Sequence, residues 1–288
     1  MDYNSPGIRQ QAKEALIKEG KEKPSPRSIS IRAKKMLKLG GKGATVVDNI
    51  AQPETNIDID KAFELLPIYI EMVVKGFCNG AYLCGEGGIG KSFNVDRAVE
   101  RLEKEVQEED PEFKITRVSG TTSPGEMYNF IYEHRTGVLV FDDCDEAYKT
   151  ARGKDILKTV LDTREQRIVH WMSGSGLIRA PRSFEFTGRI IFVTNQPLAK
   201  ADETLRALIT RIYYLDFTFP KEQKLKRIFT ILPAAYKDTT LELRTEVAEY
   251  IRDNIQAYPD INIRTFIKIL DMSRFSPDGW RQLALNVR

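Results

Sequence analysis

Three short apolar runs stand out along the chain, and each is capped by polar residues. They are Gly80-Ala81-Tyr82-Leu83-Cys84, then Gly137-Val138-Leu139-Val140-Phe141 before Asp142-Asp143, and Arg189-Ile190-Ile191-Phe192-Val193 before Thr194-Asn195. Unbroken apolar runs of this length, bounded by turn residues, predict strands buried on both faces of a parallel sheet. Weaker runs at 113–118 and 215–219 predict two more strands. Between them the period changes to that of a helix. Asp58 to Phe77 carries Phe63, Leu66, Ile70, Val73 and Val74 on one face, with Pro67 expected to kink or split it. Phe93 to about Glu109 repeats Val95, Ala98, Val99, Leu102 and Val106. Shorter helices are predicted over 125–133, 155–163 and 201–212. Lys149 to Lys154 reads as a basic loop, and Arg167 to Arg179 as a β-hairpin. From Pro220 onward the pattern is helical throughout, over 221–232, 241–255, 263–272 and 280–285.

Strands alternating with helices predict an α/β fold, a parallel sheet flanked by helices, followed by a small all-helical domain. The expected divisions are an appendage over 1–55, an α/β domain over 56–219 and a helical domain over 220–288. The appendage holds two short basic helical patterns, Ser5 to Ile17 and Ser28 to Leu39, separated by prolines. Their apolar positions are sparse, so partial disorder or docking onto a neighbouring subunit is expected.

Composition narrows this picture only a little. The 288 residues are 41% hydrophobic and 30% charged, a soluble globular balance. Three scattered cysteines make neither a disulfide framework nor a zinc site, and a reducing cytoplasm is expected. No signal peptide is expected, and Glu64, Glu71 and Lys75 interrupt the most apolar segment, so neither is a membrane span. Charge is uneven. The net charge is +3, but residues 1–45 carry 11 Lys+Arg against 4 Asp+Glu, leaving the remainder at −4. A basic arm on a slightly acidic body points to a polyanion or an acidic protein surface as its partner, or to a solvated tail.

The chemistry starts at Gly85-Glu86-Gly87-Gly88-Ile89-Gly90-Lys91-Ser92, followed by Phe93. This fits G-x-x-x-x-G-K-[ST] between a strand and a helix. In that setting glycine N–H groups cradle phosphates at the positive end of the helix. Lys91 would reach the β- and γ-phosphates of ATP, and Ser92 would ligate Mg²⁺. The acids ending the second run form a Walker B pattern, with Asp142 in the Mg²⁺ shell and Asp143 polarising the attacking water. Both emerge at the carboxyl end of a strand, where open α/β sheets bind ligands.

The order of these motifs resembles the AAA+ ATPases, over roughly residues 50–288. The resemblance implies sensor roles for Asn195, which ends the next strand, and for Arg264 in Asn262-Ile263-Arg264-Thr265-Phe266, which would touch the γ-phosphate in its own subunit. It implies that Arg211 is an arginine finger reaching the neighbouring subunit's nucleotide, with Arg206 less favoured. It also implies assembly into a ring, most often a hexamer. Phosphoryl transfer is catalysed mostly by positioning and charge neutralisation, so the set is chemically coherent. The chain departs from the commonest family pattern in carrying Asp142-Asp143 where most members have Asp-Glu; Glu146 is a substitute for the longer acid. An Asp-Asp ending followed by an Asn-tipped strand is also similar to superfamily-three viral helicases. That similarity suggests a phage or viral replication ATPase working in the host cytoplasm.

For the substrate, no aromatic-Gly step follows the second strand, which lowers the reading as a protein unfoldase. Lys149, Arg152 and Lys154 form a cationic group suited to phosphate contacts or simply to solvent. The hairpin holding Trp171 resembles in position the pre-sensor 1 hairpin of helicase-like members; Trp171 either stacks on a base or fills the core. DNA, single-stranded or duplex, is the expected partner. A nucleotide-switched helicase loader and a protein remodeller are the alternatives, and the basic arm would also suit a protein partner.

Overall fold

The three apolar runs form the middle of a five-stranded sheet. In this computed structural model the strands are β1 (Gly80–Gly85), β2 (Ile115–Ser119), β3 (Val138–Asp142), β6 (Arg189–Thr194) and β7 (Tyr213–Phe217). All pair in parallel, in the order β2-β3-β6-β1-β7. The structure describes residues 13–14, 57–120, 122–144, 150–172, 178–196 and 203–287. The chain divides into two compact units, Met1–Pro53 and Glu54–Arg288, and the second holds everything discussed below. The helical patterns expected in the appendage lie outside the described residues, except for helical Lys13 and Glu14.

The two-residue period of a strand sorts the side chains into two cores. Tyr82, Cys84, Leu139, Phe141, Ile190 and Phe192 face one side. There they meet Met127 and Tyr128 of α3 (Pro124–Glu133), Ile156 and Leu157 of α4 (Ala151–Val160), and Leu208 of α5 (Glu203–Ile209). Ala81, Leu83, Val140, Ile191 and Val193 face the other side. They meet Leu66 and Ile70 of α1 (Ile59–Val74) and Val95 and Leu102 of α2 (Lys91–Gln107). Helices on both faces explain why β1 and β3 are buried along their whole length. β2, at the edge, alternates between half-buried and exposed positions.

The helices after Pro220 build a third core of their own. α6 (Lys221–Ile231), α7 (Leu241–Asp253), α8 (Ile263–Phe275) and α9 (Trp280–Ala284) enclose Ile228, Val247, Ile251, Phe266 and Trp280. Among the described residues, no helix is long and apolar enough to cross a membrane.

Several expectations need correction. Pro67 does not split its helix: α1 runs unbroken through it, with Phe63, Leu66 and Ile70 all buried. Burial of that face outweighs the one backbone hydrogen bond that proline forgoes. Of the stretch expected as a loop, residues 151–154 are helical. Thr150 caps α4 by accepting from the Gly153 N–H at 3.0 Å, which places Arg152 and Lys154 in the first turn of a helix. Gly153 is buried in that turn. The hairpin is wider than expected. β4 (Ile168–His170) pairs antiparallel with β5 (Ser183–Glu185), beyond Arg179. β2 and β7 are each offset by about two residues from the predicted runs, and α5 ends before Arg211.

Gly85, the last residue of β1, shows how tightly the sheet is drawn together at the site. Its φ is +141°, and a Cβ there would lie 2.6 Å from the Phe217 carbonyl carbon of β7. Both contact and torsion oppose a side chain, so Gly85→Ala should lose about 2–3 kcal/mol of stability in urea unfolding. A loss under about 0.5 kcal/mol, the range of an ordinary surface change, would show that the two strands can part there.

Candidate active site

The loop between β1 and α2 closes over the carboxyl edge of the sheet. Gly88 and Gly90 take φ values of +81° and +95°, which let the chain turn tightly enough to start α2 at Lys91. Gly90 is the N-cap and supplies no side-chain acceptor, so no side chain caps the first turn of α2. Ile89 points the other way and is buried in the core beneath the loop.

Lys91 is 5% exposed. Its Nζ donates to the carbonyls of Gly85 and Glu86, each at 2.7 Å, and to Asn195 Oδ1 at 3.3 Å. Burial pulls its pKa down to about 8, with Asp142 and Asp143 opposing the shift. The Ser92 hydroxyl donates to Asp142 Oδ1 at 3.3 Å. A hydroxyl beside a carboxylate at the head of a phosphate loop fits Mg²⁺, which takes one or two protein oxygens and completes its shell with phosphates and water. Among the described residues, no cluster of three or more His, Cys, Asp or Glu is placed to hold a metal alone.

Asp143 follows directly on β3 with φ +50°, a torsion that few residues other than glycine adopt. Its N–H donates to the Val193 carbonyl at 2.9 Å, which pins it to β6. Its Oδ1 accepts from Asn195 Nδ2 at 3.0 Å. Asn195 therefore ties the phosphate-loop lysine to the second acid with a single amide, its oxygen to one and its nitrogen to the other.

The helical part completes the site. The Ile263 N–H donates to the Gly88 carbonyl at 2.9 Å, so α8 starts on the loop itself. The Arg264 guanidinium lies over Gly87, within 3.4 Å of where a Cβ would stand. Lys91, Ser92, Phe93, Asp143, Asn195 and Arg264 line one cavity of about 220 Å³.

Other expected residues fall elsewhere. Arg211 is exposed just past α5 and donates to the Lys158 carbonyl at 2.9 Å, outside the cavity. Trp171 is only 6% exposed and packs on Tyr128 with ring centroids 5.3 Å apart, while Arg152 covers it at 5.4 Å. Of the two roles left open for Trp171, the packing of its ring favours the core. Glu146 and Lys149 lie outside the described residues.

Two functional neighbours escaped the sequence. Arg117 of β2 pairs with both Asp142 and Asp96. A charged residue amid the apolar pattern of β2 was the available signal. Lys224 of α6 pairs with Glu86 of the loop. Nothing in its helix sets it apart from its lysine neighbours.

Parallel strands ending level at a phosphate loop, with a helical lid seated on that loop, give this chain a fold like that of AAA+ P-loop proteins. No protein-family model matches the chain. An uncharacterised 36.7 kDa protein from the nrdC–mobD intergenic region of Enterobacteria phage T4 is 25% identical over 243 residues, 78% of this chain and 73% of that protein. The ORC2 protein of Aeropyrum pernix, solved as ADPNP–ADP complexes, superposes with a TM-score of 0.50 at 16% identity, covering 81% of this chain and 68% of that one. A Thermotoga maritima RuvB point variant aligns with a TM-score of 0.44 at 14% identity, over 80% of this chain and 71% of that one.

A lysine whose pKa is near 8 regains its proton when an anion binds beside it. Inorganic phosphate or nucleotide should therefore bind with proton uptake above pH 8. Affinity should fall as pH rises from 8 towards 10, by up to about tenfold per pH unit. Calorimetry in buffers of different ionisation enthalpy checks this. A pH-independent affinity over that range would remove Lys91 from the anion site.

Proposed function

We propose that this protein is an AAA+ ATPase that binds and hydrolyses ATP with Mg²⁺ at the subunit interfaces of a ring, most simply a hexamer. Its motor activity acts on DNA, single-stranded or duplex, in translocation or remodelling. The observation that carries the nucleotide reading is the gathering of Lys91, Ser92, Asp143, Asn195 and Arg264 around one cavity. The adenine nucleotides in the ORC2 structure favour ATP over other nucleotides. The T4 relative favours a phage-type setting, with the host cytoplasm as the place of work.

Each residue has a task in this reading. Lys91 releases its loop carbonyls and donates to the β- and γ-phosphates. Ser92 and Asp142 would hold Mg²⁺, which would supply charge neutralisation at the phosphates. Asp143 accepts a proton from the attacking water, and Asn195 holds both acid and water in line. Glu146 is the second candidate for that base. Arg264 contacts the γ-phosphate from its own subunit, while Arg211 reaches the nucleotide of the next. Residues 56–219 act as the nucleotide-binding domain and 220–288 as the lid. The basic arm over 1–55 engages DNA or a protein partner, and Lys149, Arg152 and Lys154 are the candidate phosphate contacts.

A second reading is a nucleotide-switched helicase loader, whose slow hydrolysis only times release. Burial of Trp171 favours it, since that removes one base contact a motor would use. Steady-state ATP hydrolysis separates the two when measured across protein concentration, with and without single-stranded DNA. For the motor, turnover per subunit rises with both, and Arg211→Ala lowers it by about 10³-fold or more while ATP still binds. Slow turnover that ignores DNA and is unchanged in Arg211→Ala would replace the motor with the switch. Asp143→Asn should likewise abolish turnover with binding retained; an active variant would move the base to another acid.

A further inference from the structure

The lid meets the phosphate loop along Glu86 to Gly90, and a buried cation braces one end of that contact. Lys224 of α6 is 4% exposed. Its Nζ donates to Asp260 Oδ1 at 2.7 Å and forms an ion pair with Glu86 in the loop. An ammonium this buried needs close compensation, and here two carboxylates supply it. Asp260 Oδ2 in turn accepts from Asn262 Nδ2 at 3.1 Å. Asn262 caps α8 by accepting from the Thr265 N–H at 3.0 Å. The Ile263 N–H meets the Gly88 carbonyl, and Arg264 follows at the cavity.

The post that carries Lys224 is anchored elsewhere. α6 is tied to the start of α1, where Gln223 Oε1 accepts from the Ile59 N–H at 3.0 Å and Arg227 pairs with Asp60 at 3.2 Å. Arg227 also covers the Phe63 ring at 4.3 Å. None of these contacts involves Lys224. Its removal therefore leaves α6 on α1 and frees only what Lys224 grips, the loop entering α8.

We infer that Lys224 is a positioning residue: it braces Asp260 against Glu86 and so seats the start of α8, and with it Arg264, on the phosphate loop. Glu86 serves twice, because its carboxylate meets Lys224 while its carbonyl accepts from Lys91. The cradle lysine and the lid lysine thus share one residue of the loop. The consequence for nucleotide discrimination rests on the proposed ATPase reading, whereas the structural bracing does not.

Hydrogen exchange and nucleotide binding together test this on Lys224→Met, Asp260→Asn, Glu86→Gln and Lys224→Arg. Exchange of the Ile263 amide should speed up by about tenfold or more in the first two and less in Glu86→Gln, with protection at Val247 and Ile251 in α7 unchanged. Lys224→Arg should restore most of the protection. A non-hydrolysable ATP analogue should lose about tenfold in affinity while ADP loses less, because Arg264 is placed for the terminal phosphate. Unchanged protection at Ile263 in folded Lys224→Met and Asp260→Asn overturns the bracing. Faster exchange with the ATP-to-ADP preference intact overturns the positioning of Arg264. If Lys224→Met does not fold, Asp260→Asn and Glu86→Gln decide both points. A protein that binds neither nucleotide refutes the ATPase reading, and the exchange result still decides the bracing.

Discussion

An ammonium group taken almost wholly out of water is the constraint around which this molecule is built. Lys91 has lost most of its solvent, and two loop carbonyls and one amide oxygen face its charge. Those acceptors come from the end of β1, the turn beyond it and the end of β6. They converge only if β1 and β6 lie side by side and stop at the same level. The register provides this, with Cys84 opposite Thr194 one residue short of Gly85 and Asn195. β3 then brings Asp142 level with Val193, so both acids arrive at the same edge. The sheet order is thus a requirement of the site as much as a product of packing.

That edge was largely readable in advance, since apolar runs ending in Asp142-Asp143 and Thr194-Asn195 have few other uses. The two cores were implied by the same pattern, because a strand apolar at every position needs cover on both faces. Failures came where a local signal was outweighed by distant partners. Pro67 is a helix breaker in isolation, yet burial of the face beside it keeps the helix whole. Trp171 carried an aromatic label that suits a base as well as a core, and only three-dimensional packing tells the two apart. Arg117 and Lys224 are harder still. Each owes its role to carboxylates on other elements, and no periodicity within a strand or helix announces such a partner.

The ionic contacts of this protein differ in what they can contribute. Lys61–Glu64 and Lys158–Asp155 are exposed helix pairs, each worth a few tenths of a kcal/mol at most. In the pairs of Lys224 and of Arg117 with Asp142 one member is enclosed, and losing its partner would leave Lys224 or Asp142 uncompensated. One of those groups lies at the lid and the other at the edge strand.

The backbone at Asp143 bears on how the motif is spelled. A residue at φ +50° sits in the left-handed region, which aspartate and asparagine enter several-fold more readily than most side chains. Glutamate has no such tolerance, because its carboxylate is too far out to form the short local hydrogen bonds that ease the torsion. The second aspartate, an oddity when compared letter by letter with the usual Asp-Glu, is thus the acid that this turn admits most easily. A pattern search that insists on glutamate there would be selecting for a backbone torsion as much as for a chemistry.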